Sequence, residues 1–373
     1  MGARRCPHCH APQGTQRWRI IGTSLKWVGG VTAALSLFLV ANQVNNVVSS
    51  WTGRQESVTA LIKASSLQAE SGDYTGAWGS LDEALDLEPG SIQVQAQRVD
   101  LAMLWVQNAA TVNDQTFSEI INPLLPSLYL GAVRSTPGER ADALAHIGWA
   151  NALRAIDGGT WLEIDGQFEA ALQADPQNVF AHTWQARWLY MRPNTADYDV
   201  PRIDLARTHF DAALATGQYR SWIRSMQLFS YLGGYDPVAQ AEGIKVVADI
   251  KMEGGTISTR HANYFRRSIK DLVLKNDDQA DILRAYLLDT FTWPEILDLY
   301  VWVMTIQPRG SYDQPQDRYV FATLTEKSGH PDTALTLYRD LLEGASRGYT
   351  FSSELVESIA RLEGEVDGRT DGD

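Results

Sequence analysis

Residues 57–87 read SVTALIKASSLQAESGDYTGAWGSLDEALDL, and Glu88-Pro89-Gly90 follows at once. Apolar residues recur at helical spacing on both sides of Gly72-Asp73-Tyr74, so the segment predicts two helices joined by a tight turn. In the second helix Ala77 and Ala84 are small, and Leu81 lies between them on the same face. Small side chains one heptad apart let a neighbouring helix come close, while the leucine fills the layer between them. Pro89 then ends the helix, because proline has no amide proton and its ring clashes with the preceding turn. The predicted unit is an antiparallel helix hairpin.

The pattern returns three times. Leu144-x-x-Ile147-Gly148-x-x-Asn151 is followed, after Gly158-Gly159, by Ile164-x-x-x-Phe168-x-x-Ala171-Leu172 and Asp175-Pro176. A further second helix reads Ala206-x-x-x-Phe210-x-x-Ala213-Leu214, and another Gly329-His330-Pro331-x-x-Ala334-x-x-x-Tyr338-x-x-Leu341-Leu342. Together with the turn, the alanines and the closing prolines, these stretches resemble the tetratricopeptide repeat. The match is looser in places. Leu61 and Ala64-Ser65 stand where that family favours Trp and Leu-Gly, and Asn151 replaces its usual aromatic. From Ala84 to Ala171 is 87 residues and from Ala171 to Ala213 is 42, neither a multiple of the 34-residue repeat, so insertions interrupt the array. The resemblance implies an all-α, TPR-like solenoid over residues 54–363, with about seven or eight antiparallel helix pairs, a right-handed stack and a concave face. The stretches 91–131, 219–252, 260–275 and 279–306 are helical by periodicity but degenerate as repeats. Residues 364–373 are polar, Gly-rich and acidic, and read as a flexible tail.

The chain has 373 residues, 44 % hydrophobic and 21 % charged, which excludes wholesale disorder and a small disulfide scaffold. Its net charge of -13 is unevenly spread. Residues 1–50 carry Arg4, Arg5, Arg17, Arg19 and Lys26 and no acid, so the remainder holds -13 minus 5, or -18. A body this acidic repels phosphate backbones, which argues against nucleic acid as a partner.

Between Ile20 and Ala41 runs IIGTSLKWVGGVTAALSLFLVA, with Lys26 as its only charge. At about 1.5 Å per residue it is long enough for ~30 Å of hydrocarbon, and Lys26 can snorkel to the headgroups. Residues 20–41 therefore read as one uncleaved transmembrane helix, with Trp18, Trp27 and Trp51 as interfacial anchors and 42–53 as a juxtamembrane linker. The cations precede or enter the span, which places the N-terminus in the cytoplasm and the solenoid outside. Residues 1–19 contain both cysteines, in Cys6-Pro7-His8-Cys9-His10. This knuckle resembles half of a zinc ribbon, with Cys6, Cys9 and His10 as candidate zinc ligands. A structural zinc takes four ligands, so a second copy of the chain would supply the rest in a homo-oligomer; a decayed ribbon and a redox pair are the alternatives.

No catalytic signature is present: the five later histidines precede Ile147, Thr183, Phe210, Ala262 and Pro331, and there is no Gly-x-Ser-x-Gly, phosphate loop or dinucleotide fingerprint. Trp184 and Trp188, four apart, suit either a ligand groove or helix packing, with packing favoured. Arg260, Arg266, Arg267 and Lys270 form a basic cluster with Asp271, Asp277 and Asp278 close by, which favours a solvated face. The leading expectation is a non-enzymatic, membrane-tethered scaffold whose groove holds a peptide or partner subunit. An assembly or regulatory protein coupling both membrane faces, and an accessory to a cell-surface polymer enzyme, are the alternatives.

Overall fold

The structure is a computed structural model that describes residues 51–110, 115–134, 136–159, 163–191, 201–307, 314–345 and 352–370. Among them are 17 α-helices and no strand. They fall into two compact units, one ending at Tyr219 and one beginning at Arg220. The knuckle and the apolar stretch 20–41 lie outside the described residues, and no described helix is long and apolar enough to cross a membrane.

The first unit opens with α1 (Trp51–Ser71) and α2 (Tyr74–Leu87), the hairpin expected from the quoted stretch. Gly72 takes a φ of +85°, a conformation that costs glycine nothing, and the Asp73 carboxylate caps α2 by accepting from the Gly76 amide at 2.9 Å. Next come α3 (Ile92–Gln107), the short α4 (Phe117–Ile121) and α5 (Leu125–Arg134). Here one second helix has become two. Pro123 and Pro126 lie at the break, where an uninterrupted helix would lose backbone hydrogen bonds. Two regular hairpins follow: α6 (Pro137–Ile156) with α7 (Ile164–Ala174), and α8 (Val179–Met191) with α9 (Pro201–Ala215).

These pairs stack in order. The first helix of each pair touches its own partner, the last helix of the preceding pair and the preceding first helix: α3 meets α1 and α2, α6 meets α3 and α5, and α8 meets α6 and α7. The small-large-small positions lie inside this stack. Ala77, Leu81 and Ala84 of α2, Phe168 and Ala171 of α7, and Ala206, Phe210 and Ala213 of α9 are all buried. Gly148 marks a close approach between α6 and α7, since a Cβ there would lie 2.8 Å from Cε1 of Phe168.

The second unit contains α10 (Arg220–Gly233), α11 (Pro237–Met252), α12 (Thr259–Leu274), α13 (Asp278–Leu288), α14 (Trp293–Thr305), α15 (Pro315–Lys327), α16 (Pro331–Ala345) and α17 (Ser352–Thr370). α12 is its centre, packing on α10, α13 and α15. The last hairpin, α15 and α16, buries Ala322, Ala334, Tyr338 and Leu341, and α17 closes that core with Leu355, Ile359 and Leu362. α17 runs on to Thr370, into the acidic stretch 364–373 that the sequence leaves as a tail. Arg224 of α10 is buried and pairs with both Glu253, at 2.6 Å, and Asp249, at 3.1 Å. Arg220 grips the same Glu253 carboxylate through Nε at 3.0 Å. These donors, Arg220 first, hold Glu253 down to a pKa of about 2.

Candidate functional site

In the first unit the first helices α3, α6 and α8 lie side by side and form a seam. Two polar rungs cross it. His146 of α6 is almost wholly buried, with Nδ1 2.6 Å from the Asp142 carbonyl oxygen and Nε2 2.8 Å from Nε2 of Gln107 on α3. A carbonyl only accepts, so Nδ1 carries the proton and Nε2 accepts from the Gln107 amide. Burial keeps the ring neutral and pushes its pKa down to about 3. The second rung joins α6 to α8, where Asn178 Nδ2 donates to the Asp142 carboxylate at 2.6 Å. The same Asn178 caps α8, its Oδ1 accepting from the Ala181 amide at 2.8 Å.

An aromatic floor lies beside the rungs. Trp149 of α6 and Trp184 of α8 stack almost parallel at 5.9 Å, and the His146 ring meets Trp184 edge-on at 4.5 Å. Arg187 sits over the Trp149 ring, and Trp188 donates from Nε1 to Asp165 of α7 at 2.8 Å. Trp184 and Trp188 are thus fully buried packing residues, the reading their spacing favours.

Carboxylates flank this floor. Asp100 of α3 is raised above the ordinary carboxyl range, by burial first and then by the charge of Glu139. Asp142 is also raised, mainly by burial, with Asp175 and Glu139 adding to the effect and the Asn178 hydrogen bond opposing it. Glu139 is lowered, because the Thr136 backbone amide and hydroxyl both donate to it in a capping box. The result is a negative strip across two adjacent first helices, Asp100 on one and Glu139 and Asp142 on the next. Such a strip suits cationic side chains arriving on an extended segment, because each cation relieves repulsion already present.

Cys6, Cys9 and His10, the candidate zinc ligands, lie outside the described residues. Among the described residues, no three or more His, Cys, Asp or Glu side chains are grouped to hold a metal ion. His182 of α8 and His209 of α9 meet through their Nδ1 atoms at 2.9 Å. His182 Nε2 lies 3.1 Å from the Pro176 carbonyl, so its Nδ1 is the acceptor and His209 the donor. The cluster Arg260, Arg266, Arg267 and Lys270 does not act as one patch. Arg266 pairs with Asp317, Lys270 donates to Gln316, and Arg267 donates to the carbonyls of Leu232 and Gly234. Sequence reasoning missed Gln107, Asp142 and Asn178. The signal for Asn178 was available, since Asp175-Pro176-Gln177-Asn178 ends one helix and supplies an N-cap for the next.

No protein-family model matches the chain, and no characterised protein matches its sequence. Among solved structures the chain is similar to the crystal structure of the yeast Tom70, at 15 % identity and a TM-score of 0.33, over 90 % of this chain and 59 % of that one. The chain thus spans under two thirds of the length of that protein. The hairpin architecture stands on the packing of the chain's own helices.

Proposed function

We propose that the chain is a non-enzymatic protein-binding scaffold, in which the seam of α3, α6 and α8 holds an extended partner segment of basic or mixed charge. The observation that carries the reading is the strip of Asp100, Glu139 and Asp142 on neighbouring first helices, in which burial first, and the Glu139 charge in addition, raise both Asp100 and Asp142. Stacked hairpins present a continuous surface along their first helices, and that surface is what such arrays use for binding. The apolar stretch 20–41 would tether the scaffold as a single span, with residues 1–19 in the cytoplasm, the helical units outside and zinc held at Cys6, Cys9 and His10. Tethering raises the effective concentration of the seam for any partner in the same membrane.

The test is crosslinking in intact cells followed by mass spectrometry, paired with titration of the purified protein by a fluorescent Lys-rich peptide. Binding should weaken as salt rises. Asp100→Lys should lower affinity about tenfold, since it replaces an attraction by a repulsion at an exposed pair. Crosslinks only between copies of the chain, or affinity unmoved by Asp100→Lys, would overturn the reading.

A further inference from the structure

In the second unit, arginines and aromatic rings alternate along one edge, with Arg260 and Tyr235 exposed and Phe229, Tyr264 and Arg267 half-buried. Arg260 of α12 lies over the Phe229 ring of α10 at 4.8 Å and over Tyr264 at 5.8 Å. Arg267, two turns further along α12, lies over Tyr264 at 5.3 Å and over Tyr235 at 4.6 Å. The order is Phe229, Arg260, Tyr264, Arg267, Tyr235. Both guanidiniums are fixed in place. Arg260 Nε donates to the Tyr264 hydroxyl at 2.9 Å, and Arg267 caps the end of α10 by donating to the Leu232 and Gly234 carbonyls. Arg267 in turn holds Tyr235, a ring that is 72 % exposed in the turn between α10 and α11.

Most described arginines of the unit are paired with an acid, Arg318 of α15 being an exception outside the ladder. Arg220, Arg224, Arg266, Arg284, Arg339 and Arg361 all pair with carboxylates, as an acidic chain permits. Arg260 and Arg267 have no carboxylate within ion-pair distance among the described residues, and Arg260 is exposed. In a protein with 45 acids and 32 bases, two guanidiniums held against rings instead of acids leave a positive edge with its counter-charge missing. Arginine and tyrosine on rigid supports are also the residues that dominate protein interfaces, because little entropy is lost when they are covered.

We propose that this Arg–Tyr ladder is a docking surface for an acidic linear segment of a partner protein, distinct from the seam of the first unit and independent of it. A carboxylate of the segment bonds the free guanidinium edge of Arg260, and an apolar or aromatic side chain covers the Tyr235 ring. Four successive ring-to-guanidinium steps make a track on the order of 15–20 Å, which five or six residues of extended chain cover at about 3.3 Å each. The recognised motif is therefore an acidic residue and an aromatic one about four residues apart.

The test uses the full chain and two fluorescein-labelled decapeptides, one of alternating Glu and Gly with a single Phe four residues from a Glu, the other with every Glu replaced by Gln. Fluorescence anisotropy should show the Glu peptide binding at least tenfold more tightly than the Gln peptide, with the gap closing as salt rises. Arg260→Ala should remove the preference. Arg260→Lys should restore only part of it, because an ammonium lacks the planar fork, and Tyr235→Ala should weaken both peptides alike. Arg260 and Tyr235 are exposed and cap no helix, so melting temperatures of these variants should stay with the parent and separate lost binding from lost fold. Equal affinity for the two peptides, or a Glu preference that survives Arg260→Ala, overturns the proposal. So does tighter binding of a single-stranded oligonucleotide than of the Glu peptide, since bases also stack on tyrosine and arginine.

Discussion

Replacing Gly148 by alanine sets two known effects against each other. In an ordinary helix interior the change stabilises by up to about 1 kcal/mol, because alanine loses less backbone entropy on folding. At Gly148 the new Cβ would lie 2.8, 3.0 and 3.1 Å from Cε1, Cδ1 and Cζ of Phe168. That ring is wholly buried, so either it or the helices must shift to make room. Inserting a methyl into a filled core costs about 1–3 kcal/mol, which exceeds the propensity gain and leaves a net loss of about 1 kcal/mol. Gly148→Val adds two further methyl groups and should lose about 3 kcal/mol or more. Gly79 supplies the control, being in the middle of α2 with nothing within 4 Å of its Cβ position. Gly79→Ala should stabilise by about 0.5–1 kcal/mol. At about 2–4 °C per kcal/mol for a unit of this size, the two alanine variants should melt several degrees apart in far-UV circular dichroism, in opposite directions from the parent. Phe168→Leu in the Gly148→Ala background should recover part of the loss, giving a coupling of at least about 0.5 kcal/mol in the double-mutant cycle. If Gly148→Ala stabilises as much as Gly79→Ala, α6 and α7 do not approach as described and the hairpin register is wrong.

Glu253 should make the second unit acid-sensitive. Its pKa is lowered to about 2, so the stability it contributes is present above its ordinary value near 4.5 and is lost as pH falls from there toward 2. Glu253→Gln should cost about 1–2 kcal/mol at neutral pH after allowance for solvent screening, and should flatten the melting temperature between pH 5 and 2. Ala77→Trp should destabilise the first unit by several kcal/mol, because Ala77 is completely buried against α1, and an unchanged melting curve would count against that packing. A reporter fused after Trp51 should be active outside the cytoplasm if residues 20–41 span a membrane; activity confined to the cytoplasm reverses the orientation. Purified full-length protein should carry zinc that Cys6→Ser removes, as measured by elemental analysis, and metal-free protein of unchanged oligomeric state would point to a decayed ribbon.

The second helices of the hairpins were legible because their code is local. Ala77, Leu81 and Ala84 lie within eight residues, and a buried small-large-small face follows from helical geometry alone. The same holds for Ala206, Phe210 and Ala213. The seam was not legible, because Gln107 and His146 are 39 residues apart and Asp142 and Asn178 are 36 apart. Their pairing depends on how one hairpin lies against the next, and a lone histidine on a helix gives no hint of it. The uneven alanine spacing revealed that something interrupts the array, and Pro123 and Pro126 explain one interruption. It did not reveal that the described helices fall into two units parting after Tyr219. The arginine–tyrosine ladder was half visible: the cations stand together in sequence, but Phe229 and Tyr235, which turn two of them into a track, come from a helix and a turn some thirty residues earlier.

The rungs across the seam bear on how the stack responds to force. Apolar ridges slide past one another with modest loss at each step, so a purely oily stack stretches like a soft spring. His146 allows no such slide. Its one lone pair and one proton each have a single partner, and moving α3 by one residue would strand a buried nitrogen at a cost of about 1–3 kcal/mol before any new contact formed. Under tension the first unit should therefore hold its length and then yield in discrete jumps, with the Gln107–His146 and Asp142–Asn178 rungs each adding a barrier where the hairpins they join come apart.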